Sequence, residues 1–152
     1  MKRGQGVGWL RAAGLGWITG SRMFLGPALA ARQARPGRLR RLAYLAAAFE
    51  LLADKTPFLP NRTEARSLAG RIVSGAGVAS SVLRARGRTL AGGALALGAA
   101  AAIAGAFVGL RFRLALTRRL GGGGLASAVA GAIEDAALIG VGRRLAGPAS
   151  TR

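Results

Sequence analysis

Apolar positions along this chain run in long stretches divided by short basic clusters. Residues 89–110 hold no charged side chain at all, and these 22 residues would extend about 33 Å as a helix, enough to cross a hydrocarbon core of about 30 Å. Residues 120–142 are apolar except for Glu134 and Asp135, and 67–83 are apolar except for Arg71. These three stretches read as spanning helices. Residues 41–58 carry Glu50 and Asp54, which suggests a short span. Residues 12–31 carry Arg22 mid-way, with Gly14, Gly16, Gly20, Gly26 and Pro27 around it, which suggests a span unwound near Gly20. The pattern predicts an all-α, polytopic membrane helical bundle of about five transmembrane helices. It forms one integral membrane domain over residues 1–152, and four helices plus a re-entrant first segment is the alternative.

Small residues supply the expected packing. Ala94, Gly98, Ala102 and Ala106 recur every fourth residue, and Ala101, Gly105 and Gly109 form a second row, so two faces of the same helix allow close backbone approach. The run Gly121 to Gly124 reads as a flexible hinge or loop; with no Lys-Ser/Thr after it, it is not a phosphate loop. Met1-Lys2-Arg3 and Ala28-Leu29-Ala30 resemble the ends of a signal peptide, but Arg11 and Arg22 interrupt the apolar core that one requires.

Composition narrows the function classes. There are 23 Lys+Arg against 5 Asp+Glu, a formal charge of +18, with no His and no Cys. Cys/His zinc sites, disulfide frameworks and Ser-His-Asp triads are excluded by residue type. Neither an enzyme nor a cofactor is expected. Of the basic residues 21 are Arg and 2 are Lys, a skew that GC-rich coding would produce. The basic clusters fall between the apolar stretches, where they would meet lipid phosphate. In a five-span arrangement eleven basic residues lie on each side, so the positive-inside rule selects no orientation. Either dual insertion with antiparallel pairing or a signal blurred by Arg bias would produce that tie.

Ionisable groups inside apolar spans are expensive and mark functional sites by default. Glu50 and Asp54 stand four apart, one turn apart on one helix face, and paired carboxylates can hold a proton or a cation. Lys55 follows, and Pro57 and Pro60 would end that helix. Asp54 and Lys55 equally fit the headgroup boundary. Glu134 and Asp135 point about 100° apart, so at least one can face the bundle interior. Arg22, protonated in any environment, is the natural counter-charge. The expected centre is Arg22 with Glu50, Asp54 or Glu134, acting either in ion handling or as a clasp between helices.

Gly20-Ser-Arg22-Met-Phe24-Leu25, followed by Glu50, is loosely echoed by Gly109-Leu-Arg111-Phe112-Arg113-Leu114, followed by Glu134. Such an echo would suit an inverted repeat. The segments Gly14-Leu-Gly-Trp-Ile-Thr-Gly20-Ser-Arg22-Met-Phe-Leu, Phe49-Glu50-Leu-Leu-Ala-Asp54-Lys55-Thr-Pro57, the Gly/Ala-rich span ending in Arg113, and Ser127 leading to Glu134-Asp135 together resemble the bacterial integral membrane proteins of domain of unknown function family 4126. The resemblance covers nearly the whole chain, and 32–41 stands where the family has a longer apolar stretch. It implies a multi-pass protein of the bacterial plasma membrane and carries no activity.

Three function classes follow: a small transporter or channel using the intramembrane Arg/carboxylate cluster, a non-transporting membrane scaffold or accessory subunit, and a basic nucleic-acid binder. The last lacks aromatics interleaved with Arg for base stacking and would leave its apolar segments in water. The expected partners are the lipid bilayer, anionic lipid headgroups and further copies of the chain in a homo-oligomer, with no nucleic acid.

Overall fold

A computed structural model describes residues 3–33, 37–53, 63–85, 87 and 91–147, and every regular element among them is helical. In chain order these are α1 (Arg3–Ser21), α2 (Leu25–Ala30) with a 3₁₀ turn over Ala31–Gln33, α3 (Arg38–Ala53), α4 (Ala65–Arg84), α5 (Ala91–Arg119) and α6 (Gly123–Ala146). By length and composition α5 and α6 are able to cross a membrane. Only 33% of the most apolar stretch of α5 and 28% of that of α6 is buried. A helix at the centre of a water-soluble fold would bury most of such a stretch. Here Phe107, Phe112, Leu125 and Val141 face outward.

Three helices, α1, α4 and α5, form the tightest part of the fold, and small residues bring them together. A Cβ on Gly20 would collide with the backbone of Ala102, one on Gly105 with the carbonyl of Trp17, and one on Gly98 with the carbonyl of Gly75. Gly16 also faces α5, less tightly, where an added Cβ would stand 3.2 Å from the Gly98 oxygen. Both small-residue rows expected on α5 are therefore in use, one toward α4 and one toward α1, and Ala94, Ala102, Ala106, Gly98, Gly105 and Gly109 are buried. α6 runs antiparallel to α1, with Asp135 at Arg22 and Leu145 at Gly14.

Several expected boundaries shift. The uncharged stretch 89–110 is only the first part of α5, which continues to Arg119. Arg111, Arg113, Arg118 and Arg119 ride on the helix rather than in a loop, because good helix formers surround them and no breaker intervenes before Gly121. The 120–142 helix begins at Gly123 and ends at Ala146, and 67–83 lengthens to Ala65–Arg84. The glycine run is a defined turn rather than a loose hinge. Gly121, Gly122 and Gly123 have φ of 91°, 75° and 83°. The Gly122 N–H donates to Thr117 at 3.0 Å and the Gly121 N–H to Arg118 at 3.2 Å, the bond pair of a Schellman cap, in which glycine relieves the left-handed backbone.

In place of 41–58 stands α3, whose 16 residues cover only about 24 Å. It packs on α2 and the 3₁₀ turn, and Leu39, Leu42, Leu45, Phe49 and Leu52 stay exposed along its other side.

Segment 12–31 does not form one helix. Pro27 has no N–H for the Met23 carbonyl and crowds it, so a helix cannot pass smoothly through this point. The chain turns at residues 22–24, and α2 folds back on α1 until Gly26 lies against Thr19 and Leu15. Gly26 is required there, since a Cβ would overlap the Thr19 hydroxyl.

Candidate functional site: charges in a helix break

Breaking a helix frees backbone donors and acceptors, and in an apolar setting each must find a partner. The Met23 N–H and Phe24 N–H, which would otherwise bond to Thr19 and Gly20, donate to the two carboxylate oxygens of Glu50 at 2.6 and 2.8 Å. The Gly20 carbonyl accepts from Arg71 Nη1 at 2.8 Å. The Met23 carbonyl, deprived of a donor by Pro27, accepts from Ser74 Oγ at 3.2 Å. Arg71 and Glu50 also approach each other, with Nη2 to Oε1 at 3.8 Å. An acid from α3 and a base from α4 thus secure the two sides of the break and face one another across it.

Arg22 occupies the turn itself. Its side chain is 1% exposed, its Nε donates to Asp135 Oδ1 at 2.6 Å, and its Nη2 lies 3.7 Å from Glu134 Oε2. Both acids are buried on α6. The Arg113 guanidinium lies on Gly131, about 3.1 Å from where a Cβ would be, one turn before the acids and on their side of the helix. Next to Arg22, Ser21 Oγ donates to the Gly105 carbonyl at 3.0 Å. A cavity of about 230 Å³ opens beside these groups, lined by Ser21 and Glu134 together with Trp17, Gly109 and Phe112.

Of the residues singled out from the sequence, Arg22, Glu134 and Asp135 meet as one group. Glu50 belongs to the same break but does not bind Arg22: two backbone N–H groups and Arg71 hold it on the far side of the turn. Asp54 and Lys55 lie outside the described residues. Gly98 and Gly105 lie at helix contacts, and Gly109 is buried and lines the cavity. Arg71 was the missed member. It is the lone charge in 67–83, and the argument that singled out Arg22 applies equally to it. The internal echo finds no structural match, since Arg22 is buried in a break whereas Arg111 is exposed on an unbroken helix.

Truncating Glu50 to alanine is expected to cost about 2 kcal/mol, because two backbone donors lose a charged acceptor. Glu50→Gln, which keeps one acceptor oxygen, should lose about half as much. Thermal unfolding in detergent reads both values, and equal midpoints for wild type and Glu50→Ala would refute the assigned contacts.

No protein family, curated protein or solved structure matches this chain.

Proposed function

We propose that the protein is a small multi-pass transporter or channel of the bacterial plasma membrane, handling a proton or small ion at the Arg22, Glu134 and Asp135 cluster. The observation that carries this reading is the depth of the break. Ser21 bonds to Gly105, fourteen residues from either end of α5, and Arg22 bonds to Asp135 near the middle of α6. With α5 and α6 across the bilayer, the break and its charges lie at the midplane, where discontinuous helices form ion sites in secondary transporters.

The cavity adds the chemistry. About 230 Å³ admits several waters at about 30 Å³ each, and Glu134 forms part of its wall. A carboxylate beside a guanidinium, at the edge of a cavity, can take up a proton or exchange its arginine contact for a cation. The outward apolar faces of α5 and α6 support the membrane location.

Glu134→Gln is the direct test. In reconstituted vesicles the variant is expected to insert and remain folded while proton or monovalent-cation flux falls at least tenfold, a barrier change of about 1.4 kcal/mol. Undiminished flux through folded Glu134→Gln would remove the site. Glu50 is a poor choice for this test, since its loss weakens the break itself.

A second reading, a non-transporting scaffold with the charges as clasps, draws support from Glu50. Its carboxylate is engaged by two backbone groups and Arg71, an arrangement suited to holding shape.

A further inference from the structure

A second cavity, of about 450 Å³, lies between α2, α3 and α6 and shares no lining residue with the 230 Å³ cavity. Its walls are apolar: Leu25, Ala28 and Leu29 from α2, Ala47 and Leu51 from α3, and Ile139 from α6. Its polar lining residues are Arg32, Arg143 and Tyr44. Neither arginine is paired with a carboxylate among the described residues, and no carboxylate lines the cavity among them.

The order of these residues in depth is fixed by contacts already described. Glu50 reaches the start of α2 and Asp135 reaches Arg22, so Leu51 and Leu25 lie near the level of the break. α3 runs back along α2, and Tyr44, seven residues before Leu51, stands about 10 Å nearer the membrane surface. Arg143, eight residues beyond Asp135 on α6, stands about 12 Å above the break, and Arg32 is at a similar height. Half of a hydrocarbon core is about 15 Å, and an arginine stem spans the remaining few ångströms to the phosphate level. The cavity is therefore a greasy slot reaching toward the midplane, with two guanidiniums and a phenol at its surface end.

We propose that this slot binds one anionic glycerophospholipid, its phosphate held by Arg32 and Arg143 with help from Tyr44, and an acyl chain lying along Leu29, Ile139 and Leu25. Guanidinium pairs suit the oxygens of a phosphate. The apolar walls exclude free phosphate as the preferred occupant, because it would leave the slot unfilled. This inference rests on the membrane placement of α6 and is independent of any flux through the Arg22 cluster.

The test is binding to the purified full-length protein in detergent, followed by calorimetry, of dioctanoyl phosphatidylglycerol, dioctanoyl phosphatidylcholine and inorganic phosphate. Saturable one-to-one binding of phosphatidylglycerol is expected, with phosphatidylcholine much weaker and no displacement by inorganic phosphate. Arg32→Gln and Arg143→Gln should each weaken binding about tenfold. Ala48→Trp, at an exposed position on the slot wall, should block it. Arg111→Gln, an exposed arginine on α5, should leave it unchanged. Equal binding of phosphatidylcholine, displacement by inorganic phosphate, or an equal loss in Arg111→Gln would each overturn the proposal, the last by reducing it to diffuse attraction between charges. Failure of the membrane placement would appear separately, as a protein that stays monomeric in water without detergent.

Discussion

Gly20→Ala is expected to be among the most damaging single-methyl changes available in this protein. The added carbon would overlap the Ala102 carbonyl, which belongs to the backbone of α5 and cannot rotate aside as a side-chain tip can. Relief requires α1 and α5 to separate, and that motion also pulls on the Ser21 bond to Gly105 and the Arg71 bond to Gly20. Overpacking costs about 1–3 kcal/mol where side chains can adjust, so a backbone clash coupled to two polar contacts should exceed about 3 kcal/mol. Against a total stability of about 5–15 kcal/mol, Gly20→Val should accumulate poorly or not at all. Gly77→Ala and Gly140→Ala are the matched controls, because nothing lies within 4 Å of a Cβ at either position, and both should stay within about 1 kcal/mol of wild type. Unfolding midpoints in detergent decide the matter. A Gly20→Ala midpoint equal to that of Gly140→Ala would mean that α1 and α5 are not packed as described.

Much of this packing could be read from spacing alone. Small residues at every fourth position on α5 announce close approach, and both rows are used. The partners of those rows could not be read, because nothing in the Gly98 spacing distinguishes Gly75 from any other small residue. The break was legible too: Gly20, Arg22, Gly26 and Pro27 in one apolar stretch are hard to reconcile with a straight span. The return of α2 along α1 was not legible, since it depends on Thr19 and Leu15 leaving room for Gly26.

The charged centre divides in the same manner. Ionisable groups in apolar stretches identified Arg22, Glu50, Glu134 and Asp135, all of which converge on the break. Their pairing followed from three-dimensional competition. Glu50 faces freed backbone donors that exist only once the helix has broken, so no pairwise reasoning from charge would send it there in preference to Arg22. Arg113 lies four residues past Gly109 and one turn beyond the expected end of its span. It reaches α6 one turn before the acids only because α5 continues through it and Gly131 leaves space for a guanidinium.

Arg22→Met should destabilise the protein by about 3–5 kcal/mol, because two buried acids would lose their guanidinium, Asp135 at 2.6 Å and Glu134 at 3.7 Å. Asp135→Leu should cost a similar amount by stranding the guanidinium. Combining the two removes one positive and one negative group together, and well-packed apolar replacements for a buried pair are often neutral or better. The double variant is therefore expected to recover the part of the loss that belongs to the Arg22–Asp135 pair, with a coupling energy of about 2 kcal/mol or more between the sites, while Glu134 still lacks its more distant Arg22 contact. Strict additivity, with the double variant as unstable as the sum of the singles, would show that Arg22 and Asp135 do not act as a pair. Flux through the recovered double variant then separates the two functional readings. If the charges handle an ion, the refolded protein inserts normally and conducts nothing measurable. If they are clasps in a non-transporting scaffold, apolar packing replaces them and neither the wild type nor the double variant carries flux. Measurable wild-type flux that a stable double variant has lost is therefore the outcome that the depth of the break and the Glu134 cavity predict.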